Sequence, residues 1–115
     1  MIAIYAALGL FKQPLPLDPT KPNHQRTWMT SHMTPFSGRM VTERLLCNKL
    51  PTTGGVEYVR ILVNDALQVM EFCGSGEDGM CTLDKFVESQ GYARNDGEGD
   101  FEKCYELEGG IKITK

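Results

Sequence analysis

Apolar residues open the chain, then return in short bursts separated by proline, glycine and acidic clusters. Residues 1–11, MIAIYAALGLF, are apolar almost without interruption. Wound as a helix, they place Ile2, Tyr5 and Gly9 on one side and Ile4, Ala7, Leu8 and Phe11 on another. A helix apolar nearly all round belongs inside a larger protein. Gly9, Pro14 and Pro16 are stop signals. No Ser, Thr, Asp or Asn precedes the helix to cap its first N–H groups, so it looks like a cut made inside a domain. The other reading is a signal segment. Without a preceding Lys or Arg or a small-x-small cleavage site, it is the weaker of the two.

Beyond the helix, residues 12–23 hold four prolines and read as an extended surface loop. Residues 26–34 carry Trp28, Met29 and Met33, a short helix or turn able to rest on a core. Residues 39–47 are strand-like, with Val41 and Leu45 on one face and Met40 and Leu46 on the other. PTTGG at 51–55 is a turn. Residues 58–63 are rich in β-branched residues, Asn64-Asp65 reverses the chain, and residues 66–70 return, which makes a β-hairpin. Residues 82–92 read as a helix: Thr82 is the N-cap, Lys85 and Ser89 face out, Leu83, Phe86 and Val87 face in, and Gly91 ends it. NDGEGD at 95–100 is a polar loop, residues 101–107 a short helix or turn, and residues 108–115 a loose tail. Strands mixed with helices indicate an α/β or α+β unit. So few strands beside so apolar a first helix leave apolar faces uncovered, as in a unit that packs on something else.

Size and charge narrow the classes. At 115 residues the chain is at most one small domain. A net charge of −3, with no run of Lys and Arg, gives no sign of a nucleic-acid binder. No apolar run is long enough to span a membrane, and no Asn-x-Ser/Thr acceptor occurs. The four cysteines, Cys47, Cys73, Cys81 and Cys104, are an even, widely spaced set without a C-x-x-C pair. That favours disulfides over free buried thiols, and a metal site least. Four cysteines allow three connectivities. Cys73 and Cys81 are the easiest pair to join, across the glycine-rich GSGEDGM.

Candidate chemistry is sparse. His24 and His32 have no Cys, Asp or Glu at ligand spacing and read as surface or satisfied polar residues. Ser31, Ser37, Ser75 and Ser89 lie in no G-x-S-x-G elbow. GSGEDG lacks the Gly-Lys-Ser/Thr ending of a phosphate-cradling loop. Asp96, Glu98 and Asp100 do not match a calcium loop. Arg39 with Glu43 on one strand face, and Arg44 with Glu57 across strands, are candidate ion pairs of structural kind. From residues alone the chain shows no catalytic constellation.

A family resemblance does emerge from the combination of blocks. IYAALGLF, then Trp28, Pro35-Phe36 and Gly38-Arg39, then VTERLLC, YVRILVND, Cys73, Cys81-Thr82, Phe86 and Cys104 follow one another as in the C-terminal part of the histidine acid phosphatases, most closely the fungal phytase-type members. The resemblance covers nearly the whole chain to about Tyr105. It implies an α/β fold, of which residues 1–107 would be the C-terminal part: an N-terminal buried helix, few antiparallel strands including the hairpin, and a C-terminal helix. It implies a secreted hydrolase of phosphate monoesters such as phytate, with no metal or other cofactor and no nucleic-acid or membrane partner.

In that family a histidine of an Arg-His-Gly-x-Arg-x-Pro motif attacks phosphorus, arginines hold the phosphate, and the Asp of a later His-Asp motif protonates the leaving oxygen. Neither motif occurs here, and the resemblance would put His-Asp just before Met1. No catalytic or substrate-binding residue carries over. What carries over is a Cys73–Cys81 bridge. Cys47 and Cys104 match cysteines that bond to partners far upstream, which makes them orphan thiols in this chain. The expectation is an inactive portion of a phosphatase. The alternative is a small secreted, disulfide-linked binding or structural module.

Overall fold

The computed structural model describes residues 1–48 and 54–96. The turn expected over 51–55 and the loop over 95–100 lie partly outside these residues. The helix expected over 101–107, with Cys104, and the tail over 108–115 lie wholly outside. The elements run α1 (Ile2–Leu8), α2 (Thr30–Met33), β1 (Met40–Cys47), β2 (Val56–Val63), β3 (Ala66–Leu67), a 3-10 turn (Glu71–Cys73), β4 (Cys81–Thr82), α3 (Leu83–Ser89) and α4 (Gly91–Arg94). This is a mixed helix and antiparallel-sheet architecture, as expected.

The sheet is built around β2. β1 pairs with it antiparallel along its whole length, from Met40 opposite Val63 to Cys47 opposite Val56. On the other edge of β2, β3 pairs at Leu62 and Val63 and β4 pairs at Tyr58 and Val59. The β-branched run in β2 suits this central place, since branched side chains pack well on a pleated surface. Val59, Ile61 and Val63 alternate onto one face and are buried there. Opposite them on β1 stand Arg44, Thr42 and Met40. That face carries the core: Tyr5, Leu10, Met33, Ile61, Val63, Met70, Cys73 and Cys81, flanked by Ile2, Leu8, Phe11, Trp28, Met40, Phe72 and Phe86.

The hairpin expected at Asn64-Asp65 is present. Both residues have positive φ, 50° and 66°, the backbone that a two-residue turn needs to match strand twist. Asn and Asp tolerate it better than other non-glycine residues. The Asn64 side chain does more than turn the chain. Its Oδ1 accepts from the Arg39 N–H (2.9 Å), and its Nδ2 donates to the carbonyls of His32 (3.1 Å) and Met33 (3.2 Å). One amide thus joins α2, the start of β1 and the end of β2. The returning strand is shorter than the expected 66–70, because the chain leaves the ladder after Leu67 to enter the 3-10 turn.

α1 ends as its sequence indicates, with Gly9 in the left-handed region at φ 77°. Its start has no side-chain cap. It is not a helix buried all round, however. Tyr5 is its one buried residue, and Ile4 is 50% exposed. Only one side of α1 meets the sheet among the described residues, so the rest of its apolar surface stays open. The Tyr5 hydroxyl donates to the Met33 carbonyl at 3.2 Å, which satisfies the one polar atom of a fully buried ring.

Burial raises the phenol pKa of Tyr5 above its ordinary 10.0. The folded state therefore holds the proton more tightly than the unfolded chain does. The contribution is complete below about pH 10 and is lost as pH rises through the higher folded value. Tyr5→Phe is expected to cost about 1 kcal/mol at neutral pH through the lost hydrogen bond. It is also expected to flatten the alkaline decline. Urea unfolding of both proteins at neutral pH and above pH 10 reads both effects.

α3 begins as expected, with the Thr82 hydroxyl accepting from the Lys85 N–H at 3.4 Å. It does not run to residue 92. Gln90 leaves helical geometry (φ −92°, ψ 67°), and α4 starts afresh at Gly91. The facing also differs. Phe86 turns inward against Phe72, with ring centroids 6.5 Å apart. Val87, expected inside, is 50% exposed. Ser89, expected outside, is half-buried and donates to the Phe86 carbonyl at 2.6 Å. The rotation that brings Phe86 against Phe72 leaves Val87 half exposed.

Candidate functional site

Phosphoryl-transfer chemistry needs a nucleophile, an acid and cations converging on one point. The arginines are the first test, because a planar guanidinium is the usual clamp on a phosphate. The chain has five, and each is engaged within its own fold. Arg26 donates through Nε to the Trp28 carbonyl (3.1 Å) and through Nη1 to that of Asn23 (2.8 Å). Arg39 pairs with Asp65 on the hairpin turn, through Nε at 3.2 Å and through Nη2. Arg44 pairs with Glu57, as the spacing suggests, and Arg60 pairs with Glu43. Arg94 reaches the Glu88 carbonyl at 3.4 Å.

The Arg39–Glu43 pair expected from sequence does not form. Glu43 stands directly across from Arg60 in the ladder, and Arg39 is drawn to the turn carboxylate instead. Arg39–Asp65 and Arg44–Glu57 are largely solvent-exposed and worth little, while Arg60–Glu43 is half-buried.

The histidines do not converge either. His24 lies exposed on the loop, and His32 lies exposed in α2, contributing its carbonyl to Asn64. Among the described residues no group of three or more His, Cys, Asp or Glu could hold a metal ion. Asp18 accepts from the Thr20 hydroxyl at 2.6 Å and the Thr20 N–H at 2.8 Å. These bonds lower its pKa, chiefly through the hydroxyl. This is an exposed local turn with no reacting group beside it.

Cys73 and Cys81 are joined, with Cα atoms 6.0 Å apart. Both are buried, and their sulfurs lie 3.4 and 3.7 Å from the Met70 carbonyl. The bridge ties the 3-10 turn to β4 and hence to β2. Cys47 is a free, exposed thiol at the end of β1.

A cleft of about 880 Å³ opens where the end of α1 faces Trp28 and residues 68–72. Phe11, Trp28, Val69 and Phe72 give it apolar walls, with Lys12, Gln13, Gln68 and Glu71 between them. Gln13 shapes one wall, its Oε1 accepting from the N–H groups of Thr27 (3.0 Å) and Trp28 (3.2 Å). Its lining holds no histidine and no arginine, and Lys12 is the cation it offers. Sequence reading did not find it. It depends on residues from three separate segments, and Trp28, read from sequence as resting on a core, lines it.

The sequence profile of the histidine phosphatase superfamily (branch 2) matches residues 1–64, more than half of the chain. The chain belongs to this superfamily. Its relatives include fungal proteins. It is 36% identical to phytase A of Arthroderma benhamiae over 103 residues, which cover 87% of this chain and 22% of the relative. It is 35% identical to acid phosphatase PHO1 of Komagataella pastoris over 107 residues, 90% of this chain and 21% of that protein. It is also 35% identical to the thiamine-repressible acid phosphatase pho4 of Schizosaccharomyces pombe over 98 residues, 77% of this chain and 20% of that one. The chain thus spans about a fifth of the length of each of these relatives.

Proposed function

We propose that this chain is the scaffold portion of a secreted phosphomonoesterase acting on phytate or other organic phosphate monoesters, and that by itself it is inactive. Residues 1–107 belong to the C-terminal part of the enzyme's α/β domain, and residues 108–115 are a tail outside it. The observation that carries the reading is the pairing of family membership with the local chemistry. The chain aligns with phytases and acid phosphatases, yet its sequence has no Arg-His-Gly and no His-Asp, and all five arginines are engaged with their own fold. What the residues do supply is support: a buried sheet face, a bridged loop, and α1 docked on the core through Tyr5. The reading adds no metal or cofactor and no nucleic-acid or membrane partner. No helix among the described residues is long and apolar enough to cross a membrane.

Purified chain incubated with a chromogenic phosphate ester at acid pH is expected to release no more product than a protein-free blank. Turnover clearly above that blank would overturn the proposed inactivity.

A further inference from the structure

The cleft beside Trp28 is walled by rings that the rest of the fold holds in place. Phe11 follows the left-handed Gly9 and itself has a positive φ of 56°. That backbone is strained for a bulky aromatic residue, and such strain collects at ligand sites. The Phe11 ring stands edge-on to the fully buried Tyr5, with centroids 5.5 Å apart. On the facing wall, Phe72 adjoins the bridged Cys73 and packs on Phe86. It lies so close to the end of α1 that a side chain at Gly9 would meet its ring at 3.4 Å. Trp28 is tied to Gln13 through its N–H. The walls are thus set before a ligand arrives, which spares the ligand the cost of ordering them. Small-molecule sites commonly enclose about 300–1,000 Å³, and this cleft, at about 880 Å³, falls in that range.

Two charges line the same cleft, Lys12 after the end of α1 and Glu71 from the 3-10 turn. Among the described residues neither has an ion-pair partner, since the pairs there are Arg39–Asp65, Arg44–Glu57 and Arg60–Glu43. Beside Lys12, the Gln13 oxygen is spent on two N–H groups, which leaves its NH2 group as a further donor. A plain aromatic acid would bring its carboxylate into a cleft that also holds Glu71. A plain aromatic amine would meet Lys12 in the same way. A ring that carries both charges complements both residues.

We propose that this cleft binds a small aromatic zwitterion of the α-amino-acid class. The ring packs among Phe11, Trp28 and Phe72, the carboxylate meets Lys12 and the Gln13 amide, and the ammonium meets Glu71. This site goes beyond the phosphatase reading and does not rest on it, since binding needs no turnover.

Trp28 is the one tryptophan of the chain, so its emission reports on the cleft. The test titrates the full 115-residue chain with L-phenylalanine, exciting Trp28 at a wavelength the ligand does not absorb. A saturable change in emission is expected. L-Alanine, which lacks the ring, and N-acetylphenylalaninamide, which lacks both charges, should bind at least about fivefold more weakly. Lys12→Met should weaken phenylalanine by about fivefold and leave phenethylamine no weaker, as loss of one solvent-exposed charge contact requires. Glu71→Gln should weaken phenylalanine by a similar factor and leave 3-phenylpropionate no weaker. Lys12→Arg should retain binding. Both side chains are exposed, so the variants keep the fold. No saturable change, equal binding of N-acetylphenylalaninamide, or unaltered phenylalanine binding by either Lys12→Met or Glu71→Gln overturns the proposal.

Discussion

Ile61→Ala is expected to lower the unfolding free energy by about 4 kcal/mol, near the upper end for a fully buried aliphatic residue. Ile61 is 0% exposed and stands mid-way along β2, the one strand that pairs with every other. Its side chain belongs to the cluster that joins Tyr5 of α1, Met33 of α2, Met70 and the Cys73–Cys81 bridge. Truncation removes three methyl or methylene groups and leaves a cavity between elements that are anchored separately and cannot all close on it. Domains of this size typically hold about 5–15 kcal/mol in total, so the loss is a large share. Val56→Ala is the matched control. Val56 lies on the same strand but is 50% exposed, and its change should stay within about 0.5–1 kcal/mol. Urea denaturation of the three proteins measures the difference. Equal midpoints for Ile61→Ala and Val56→Ala would show that the core does not lie on this face of the sheet.

The second large effect is removal of the bridge. Cys73→Ala with Cys81→Ala is expected to cost about 2–3 kcal/mol. That is the chain-entropy value for closing so short a loop. The loss should be local first. The bridge fixes the 3-10 turn against β4, β4 touches β2 at only Tyr58 and Val59, and α3 is capped from Thr82 of β4. With the bridge gone, that short ladder, the Phe72–Phe86 contact and the packing of α3 on β2 are what remain to hold α3. Amide exchange in Leu83–Ser89 should therefore accelerate more than exchange in β1 and β2. Uniform acceleration through the whole chain would mean that the bridged loop and the sheet form one cooperative unit. Reductant added to the unaltered chain should reproduce the effect of the double substitution.

Much of the local structure was legible because the signals are local. The β-branched run of residues 58–63 with Asn64-Asp65 after it specifies a hairpin by strand preference and turn chemistry. Thr82, three residues before Lys85, specifies a helix start because the hydroxyl reaches that N–H. Gly9 specifies a stop because it tolerates the left-handed backbone. The Arg44–Glu57 pair was legible as well, from the spacing of two strands.

The candidate site was legible mainly as missing chemistry. Two histidines without partners and serines outside any elbow already argued against a reacting centre. The engagement of the other arginines could not be read, since Arg39 found Asp65 and Arg60 found Glu43. The cleft beside Trp28 was hidden for the same reason, as its walls come from three segments.

The sequence by itself determined the family, the hairpin, the start of α3, the end of α1 and the lack of the family's catalytic motifs. Each depends on residue identity within a few neighbouring positions or on a fixed order of blocks. Only the tertiary structure decided which side of α1 is covered, how α3 is rotated, that its helix breaks at Gln90, and that β2 is the strand paired on both edges. These depend on which surfaces meet. Periodicity shows that a residue is apolar, but only packing shows whether anything lies against it. Ile4 and Val87 are as apolar as Ile61, yet each is half exposed while Ile61 is fully buried.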